Sequence, residues 1–131
     1  MKEYSIDEVK DFRELLNRSI KLYGNNSIFK FKKKMYKKGE TVEFNYMTYK
    51  EFGKEVEALG TGINSLGISN RRVALISKNR YEWIATYYAM LTGGKIIVPL
   101  DKSLPDNEII SLAERSEAEA IVFEDKYLEV M

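Results

Sequence analysis

The sequence of 131 residues predicts an α/β fold with three layers and a mainly parallel sheet in βαβαβ order between residues 72 and 123. Short apolar, mostly β-branched runs without polar alternation occur at residues 73–76, 96–98 and 120–123, as in strands buried on both faces. Helical periodicities separate these runs, and this alternation indicates parallel strands joined by right-handed crossovers. A helix, a β-hairpin and a second helix are predicted before the sheet, and residues 1–131 are interpreted as a single domain.

The first predicted helix has a capping-box start at Ser5 and Glu8, continues through Val9, and ends at Gly24. A β-hairpin is predicted next, with apolar residues on both arms, alternating on the second, and residues 37–40 supply the turn. One arm carries Ile28, Phe29 and Phe31, and the other carries Val42, Phe44 and Tyr46.

Lysines are concentrated along the predicted hairpin, at positions 30, 32, 33, 34, 37 and 38. Lysine interleaved with aromatic residues is compatible with single-stranded nucleic acid binding. The same alternation arises when aromatics point inward and lysines point into water, and lysine on an exposed strand also discourages aggregation. The solvated hairpin is the favoured interpretation, and no nucleic acid partner is predicted.

A second capping box, Thr48 with Glu51, predicts the helix that ends at Gly67. Further along, Asn79 is expected to cap the helix after the first parallel strand. The aromatic residues of this helix, Trp83, Tyr87 and Tyr88, are expected to pack against the sheet.

The helix after the second parallel strand is predicted to have Ser103 or Leu104 as its N-cap, with Pro105 near its start. Its inward-facing residues are predicted to be Ile109, Ile110, Leu112 and Ala113.

The composition excludes several kinds of site. The chain has no cysteine and no histidine, which removes disulfides, Ser-His and Cys-His nucleophilic pairs and nearly all zinc sites. The formal net charge is only +1, so no overall field selects a polyanion. The first residues lack an apolar signal core and no stretch reaches transmembrane length, so a cytoplasmic location is expected.

Three local patterns are better explained by structure than by chemistry. Gly60 and Gly62 lie within a predicted helix, whereas a dinucleotide fingerprint follows a strand. Gly94-Lys95 lacks the upstream glycine of a phosphate loop, and Ile96 stands where that loop has Ser or Thr. Acidic residues between 114 and 125 are interpreted as a solvated face. No catalytic residue and no metal site are predicted.

Two segments taken together resemble the AMP-forming acyl-CoA synthetase and adenylation-domain superfamily. Thr48-Tyr49-Lys50-Glu51-Phe52 is similar to its first core motif. The segment 91–101, a helix end followed by a strand and Pro-Leu-Asp, is similar to its second. The resemblance runs from about residue 7 to the end and is closest to the long-chain fatty acid CoA ligases. Asn70-Arg71-Arg72 departs from the Gly-Asp that the family often has before the first buried strand.

The resemblance implies a parent enzyme that activates a carboxylate with ATP and Mg²⁺ and transfers the acyl group to coenzyme A. The family's phosphate loop, adenine- and ribose-binding segments and catalytic lysine come later than the two motifs present here. The chain is therefore expected to be an N-terminal scaffold segment that is inactive alone, binds no cofactor and has the remainder of the parent enzyme as its partner.

Three residues, Asp101, Lys102 and Lys126, are implied as one lip of a coenzyme A channel in the full-length enzyme. A lysine there would meet a nucleotide phosphate as a point charge. The isolated chain is expected to form a homodimer through exposed apolar surface or a sheet edge.

Two other readings stay open. One is a stand-alone binding or regulatory module derived from the same fold. The other is a small Rossmann-like nucleotide-binding domain, which is disfavoured because Ser77-Lys78-Asn79-Arg80, the turn after the first strand, has no glycine.

Overall fold

The computed structural model describes residues 8–131 and divides into two compact units, with the boundary after Gly53. The first unit contains helix α1 (Phe12–Tyr23) and the antiparallel strands β1 (Ser27–Lys32) and β2 (Phe44–Thr48). Helix α2 (Tyr49–Asn64) crosses the boundary. The second unit contains β3 (Arg72–Ile76), α3 (Tyr81–Thr92), β4 (Ile96–Pro99), α4 (Asp106–Arg115), β5 (Ala120–Phe123) and a final 3₁₀ turn (Asp125–Tyr127).

Helix α1 begins later than its sequence pattern predicts. Ser5 lies outside the described residues, and Val9 precedes the helix, so the predicted start was wrong. Asp11 is the N-cap instead, because its carboxylate accepts a hydrogen bond of 2.8 Å from the Glu14 backbone N–H. The predicted end is confirmed, since Gly24 is the C-cap.

The hairpin is confirmed, but its register corrects the predicted faces. Phe29 of β1 packs edge-on against Phe52, with ring centroids 5.1 Å apart, so this face of β1 is the inner one. Lys30 pairs with Tyr46 and Lys32 pairs with Phe44. Residues opposite each other in an antiparallel pair share a face, so both aromatics of β2 lie on the lysine face rather than inside.

The capping box at the start of α2 is formed as predicted. The Thr48 hydroxyl accepts a hydrogen bond from the Glu51 N–H, and the Glu51 carboxylate accepts one from the Thr48 N–H. Phe52 follows directly and is only 1% exposed. The first motif of the sequence therefore fixes a helix start and places a core aromatic residue.

The second unit is built on a parallel sheet with the order β4-β3-β5. Val73, Ala74, Leu75 and Ile76 of the central strand are all at most 1% exposed, as predicted for a strand covered on both faces. The flanking strands β4 and β5 are only partly buried, which corrects the prediction that they are fully covered. They are the edge strands of this sheet, so each has one side without a neighbour among the described residues.

The two crossover helices bury different residues from those predicted. Helix α3 buries Ala85, Thr86, Ala89 and Met90. Trp83 is only partly buried and instead stacks on Tyr87, with ring centroids 5.1 Å apart. Small residues on the inner side allow close approach, and a β-carbon on Gly60 of α2 would lie 3.3 Å from the Ala89 carbonyl oxygen.

Helix α4 covers the face of the sheet that carries Ala74 and Ile76. Ile109 and Ala113 are buried there, whereas Ile110 and Leu112 are 39% and 37% exposed, so only half of the predicted inward set faces the core. The predicted helix starts were also wrong. The N-cap of α4 is Pro105, not Ser103 or Leu104, and that of α3 is Arg80, not Asn79.

Hydrogen bonds between loops close the amino end of the parallel sheet. The Glu119 carboxylate accepts from the Ser69 hydroxyl and from the Asn70 N–H at 2.8 Å. The Asn70 side chain donates to the Glu117 carbonyl at 2.7 Å and accepts from the Arg72 N–H at 2.9 Å. These contacts tie the segment before β3 to the segment before β5. Among residues 8–131, no helix has both the length and the apolar character needed to span a membrane.

Candidate functional site

The carboxyl end of the parallel sheet is the place where this topology favours a site. The chain passes from β3 to its neighbour β4 on one side, then crosses to β5 on the other side of β3. The direction of winding therefore reverses between β3 and β5. Open α/β sheets bind ligands at the carboxyl ends of the strands beside such a switch point.

A pocket of about 260 Å³ lies at this switch point. The end of β3, the start of α3 and the end of β5 each contribute to its wall. Its lining residues are Leu75, Ile76, Ser77, Arg80, Glu82, Trp83, Thr86, Val122, Phe123, Glu124 and Asp125. The wall thus combines apolar strand ends with several charged groups.

Most of the charged groups around the pocket are already paired. The Arg80 guanidinium donates to both oxygens of Glu82, at 2.6 and 2.9 Å. This contact raises the pKa of Arg80 and lowers the pKa of Glu82. Glu124 accepts from the Lys78 backbone N–H at 3.1 Å, and this bond lowers the pKa of Glu124. Both carboxylates are therefore ionised near neutral pH, which suits binding better than proton transfer.

The Tyr81 hydroxyl at the start of α3 donates to the Glu55 carboxylate. Burial, and then this hydrogen bond, raise the pKa of Tyr81 well above its ordinary value. Tyr81 is consequently held as a neutral phenol.

Asp101 and Lys102 lie in the loop after β4, as the sequence predicts. The Asp101 carboxylate accepts from the Ser103 N–H at 2.8 Å and from the Ser103 hydroxyl at 2.7 Å, which lowers the pKa of Asp101. Asp101 is therefore engaged in holding its own turn. Ser103 serves the same turn and does not cap α4.

Lys126 is joined to that loop through Tyr127. The Tyr127 side chain is 5% exposed, and its hydroxyl donates to the Lys102 carbonyl at 3.3 Å. The Lys126 ammonium lies 4.6 Å from the centroid of the Tyr127 ring, and its contact with the Tyr127 hydroxyl raises the pKa of Lys126. The structure thus brings the segments of Lys102 and Lys126 to one end of the sheet and keeps Lys126 charged.

Sequence reasoning missed three residues of this region. Arg80 and Trp83 were assigned to a turn and to helix packing, yet both line the pocket. Tyr127 had no motif to reveal it, and only its position after the third strand pointed to the same edge. The strand order, which sequence periodicity does not report, is what brings these residues together.

The described residues can be compared with two kinds of cofactor group, a phosphate group and a metal ion. A charged lysine beside a backbone turn offers a point charge of the kind that binds a phosphate group. The described residues contain no group of three acidic, histidine or cysteine side chains able to hold a metal ion. The second core motif has a structural role, since Gly94 adopts φ 76° and turns the chain from α3 into β4.

Comparison with known proteins places these observations in a family. Residues 29–130 match the family model described as AMP-binding enzyme. Fatty acyl-CoA synthetase B of Dictyostelium discoideum is 26% identical over 112 residues, which are 85% of this chain and 16% of that protein. A CoA ligase of Gibberella moniliformis is 32% identical over 75 residues, which are 57% of this chain and 12% of that protein.

Solved structures show the same fold. An anthranilate CoA ligase in complex with anthranoyl-AMP is 16% identical, with a TM-score of 0.76, and the match covers 96% of this chain and 22% of that one. A long-chain-fatty-acid CoA ligase from Rhodopseudomonas palustris, described as putative in its name, is 21% identical, with a TM-score of 0.75 over 92% of this chain and 28% of that one. The family match spans most of the chain, and the chain therefore belongs to the AMP-binding enzyme family of adenylate-forming ligases.

Proposed function

We propose that this chain is the N-terminal scaffold segment of an ATP-dependent fatty acid CoA ligase. The proposal rests on one observation: the family model matches most of this chain, but the chain matches only a small part of its relatives. The family model matches residues 29–130, yet the chain spans only 16% of the fatty acyl-CoA synthetase that it resembles. ATP, Mg²⁺ and coenzyme A would be used by the full-length enzyme, with the ATP site supplied by its remainder.

The chemistry of the described residues supports a scaffold role. Of the carboxylates with a shifted pKa, namely Glu82, Asp101, Glu119 and Glu124, every one is shifted downward. Acid–base catalysis near neutral pH needs a group whose pKa lies near 7. These carboxylates stabilise loops and ion pairs instead.

The first experiment is an immunoblot of source cells with an antibody raised against this chain. A band several times heavier than 15.2 kDa is expected. The native-size protein should form acyl-CoA from a fatty acid, ATP and coenzyme A, whereas the 131-residue chain alone should form none. A native band at 15.2 kDa, or thioester synthesis by the chain alone, would overturn the scaffold proposal.

At the carboxyl end of the sheet, Asp101, Lys102 and Lys126 form the proposed lip of the coenzyme A channel. The support is the charged state of Lys126 and its link through Tyr127 to the Lys102 backbone. In the native-size enzyme, Lys126→Ala and Lys102→Ala should raise the apparent KM for coenzyme A several-fold without changing the KM for ATP. Lys54→Ala, on an exposed position of α2, is the matched control. An unchanged KM for coenzyme A in both lip variants would rule this role out.

The stand-alone module remains the second candidate, and oligomeric state separates it from a scaffold segment. Large apolar side chains are exposed on the second unit, among them Leu66 at 70% and Leu128 at 68%. A segment removed from its parent should dimerise through such surface. Light scattering at high concentration should therefore give twice the mass of the chain, and a monomer would contradict the expected dimer.

A further inference from the structure

The outer face of the hairpin carries an unusual mixture of charge and aromatic surface. Lys30 and Tyr46 are directly paired, as are Lys32 and Phe44, so two lysines and two aromatics share one face. The Lys30 ammonium lies 3.9 Å from the centroid of the Phe44 ring. Tyr46 is 59% exposed, although it is a large amphipathic ring.

The loop that joins the two strands extends this face. Lys33, Lys34, Lys37 and Lys38 are all exposed, and Met35, between them, is 94% exposed. Within the described part of the chain, only Lys33 of these four forms an ion pair, with Glu43 at 3.4 Å. The loop therefore presents one highly exposed apolar side chain close in sequence to four exposed lysines.

The charge of the hairpin contrasts with that of the whole chain. Residues 27–48 contain six lysines, two glutamates and no other charged residue, whereas the net charge of the chain is only +1. The remainder is consequently negative on balance. A local cation cluster on a nearly neutral molecule attracts a polyanion to one surface and orients the molecule there.

We propose that this lysine–aromatic hairpin docks on the surface of a bilayer that contains anionic phospholipids. Lysines near such a surface are each attracted by its negative potential. Tyrosine favours the level of the headgroups, and an exposed apolar side chain such as Met35 gains by entering the acyl boundary. The proposal concerns residues 27–48 and is independent of the proposed function.

Single-stranded nucleic acid is the competing polyanion, and the geometry favours lipid. Stacking of bases needs open aromatic faces, but one face of Phe44 is covered by the Lys30 ammonium. The hairpin contains no arginine, the residue that suits bidentate phosphate contacts. The most exposed apolar side chain is a methionine, which offers no ring for stacking.

The test uses the 131-residue chain and sedimentation with vesicles. Binding is expected with phosphatidylcholine–phosphatidylserine vesicles and not with phosphatidylcholine alone. Replacing Lys33, Lys34, Lys37 and Lys38 with Gln should lower partitioning at least about tenfold. The matched control replaces four lysines outside the hairpin with Gln, at positions 21, 50, 54 and 95, and should leave partitioning within about twofold.

A second variant tests insertion of the side chain at position 35 into the bilayer and does not depend on the charge changes. Met35→Trp should show a blue-shifted emission and quenching by brominated lipid when anionic vesicles are added, above the signal of the native Trp83. Equal losses in the hairpin and control quadruple variants, or unquenched emission at position 35, would overturn the proposal. So would displacement of the chain from vesicles by an oligo(dT) that binds it more tightly.

Discussion

The two ends of the parallel sheet are built differently. At the amino end, Asn70 and Glu119 link the segments before β3 and β5 through direct hydrogen bonds. At the carboxyl end, the ends of the same two strands line a pocket of about 260 Å³. Hydrogen bonds at this end join Lys78 to Glu124, which lines the pocket, and Tyr127 to Lys102.

The difference separates stability from binding in one small sheet. Polar groups at the amino end satisfy one another, so they have little left to offer a ligand. At the carboxyl end, strand ends and a helix start leave space, as expected at a switch point. The comparison predicts that substitutions at the amino end will alter unfolding, whereas those at the carboxyl end will alter binding by the native-size enzyme.

The largest expected effect is that of Asn70→Ala. This change removes the bonds to the Glu117 carbonyl and the Arg72 N–H, and should lower the free energy of unfolding by about 1–2 kcal/mol. Ser77→Ala is the matched change at the carboxyl end, where the hydroxyl donates to the adjacent Lys78 carbonyl, and it should cost less than about 0.5 kcal/mol. Urea denaturation measures both, and equal losses would remove the distinction between the two ends.

An acid titration gives a smaller effect that sharpens the comparison. The Asn70 N–H, and then the Ser69 hydroxyl, lower the pKa of Glu119 below its ordinary value of 4.5. A carboxylate with a depressed folded pKa stabilises the fold above its unfolded pKa, and this contribution is lost as pH falls through the folded value.

Glu119→Gln should therefore lower the melting temperature at pH 7. The difference in melting temperature from the unsubstituted chain should become smaller below about pH 4.5. Glu124→Gln, at the carboxyl end, should change the melting temperature in the same direction, because Glu124 accepts from the Lys78 backbone N–H and pairs with the Lys78 ammonium at 3.1 Å. A difference in melting temperature that does not change with pH would show that the charge of Glu119 does not stabilise the fold.

The smallest effect concerns backbone strain. Arg71 and Glu117 have φ values of 63° and 56°, and both lie at the amino end of the sheet. A left-handed conformation costs a residue with a β-carbon roughly 1–2 kcal/mol. A glycine at the same position avoids this cost, but its greater freedom in the unfolded chain destabilises the fold by roughly 0.5–1 kcal/mol.

Arg71→Gly should thus raise the free energy of unfolding by about 0.5 kcal/mol. Ser77→Gly, whose φ is not positive, should lower it. Destabilisation by Arg71→Gly in urea denaturation would contradict the strain argument.

Much of the fold was predictable because local patterns dictate it. Thr48 and Glu51 form their capping box through contacts only three residues apart, and the buried run of β3 needs no distant partner to be recognised. The helix starts at Asp11, Arg80 and Pro105 were missed because several residues near each start could serve as a cap. Competition among neighbouring caps is decided by the loop that precedes the helix.

The candidate site was less predictable because it depends on strand order. The sequence placed Asp101, Lys102 and Lys126 near strand ends, and the structure joins two of these segments through Tyr127. The sequence did not reveal that Arg80 and Trp83 line a pocket at the carboxyl ends of β3 and β5. The hairpin register was equally hidden, since alternation within each strand does not say which residues of the two strands share a face.

The central position of β3 also affects how the chain emerges from a ribosome. Both partners of this strand come later in the sequence, and β5 begins only at Ala120. At typical synthesis rates β3 waits roughly 2–9 seconds for its second neighbour. During that interval its four apolar residues have an open edge, so nascent chains stalled before Ala120 should be the form most dependent on chaperones.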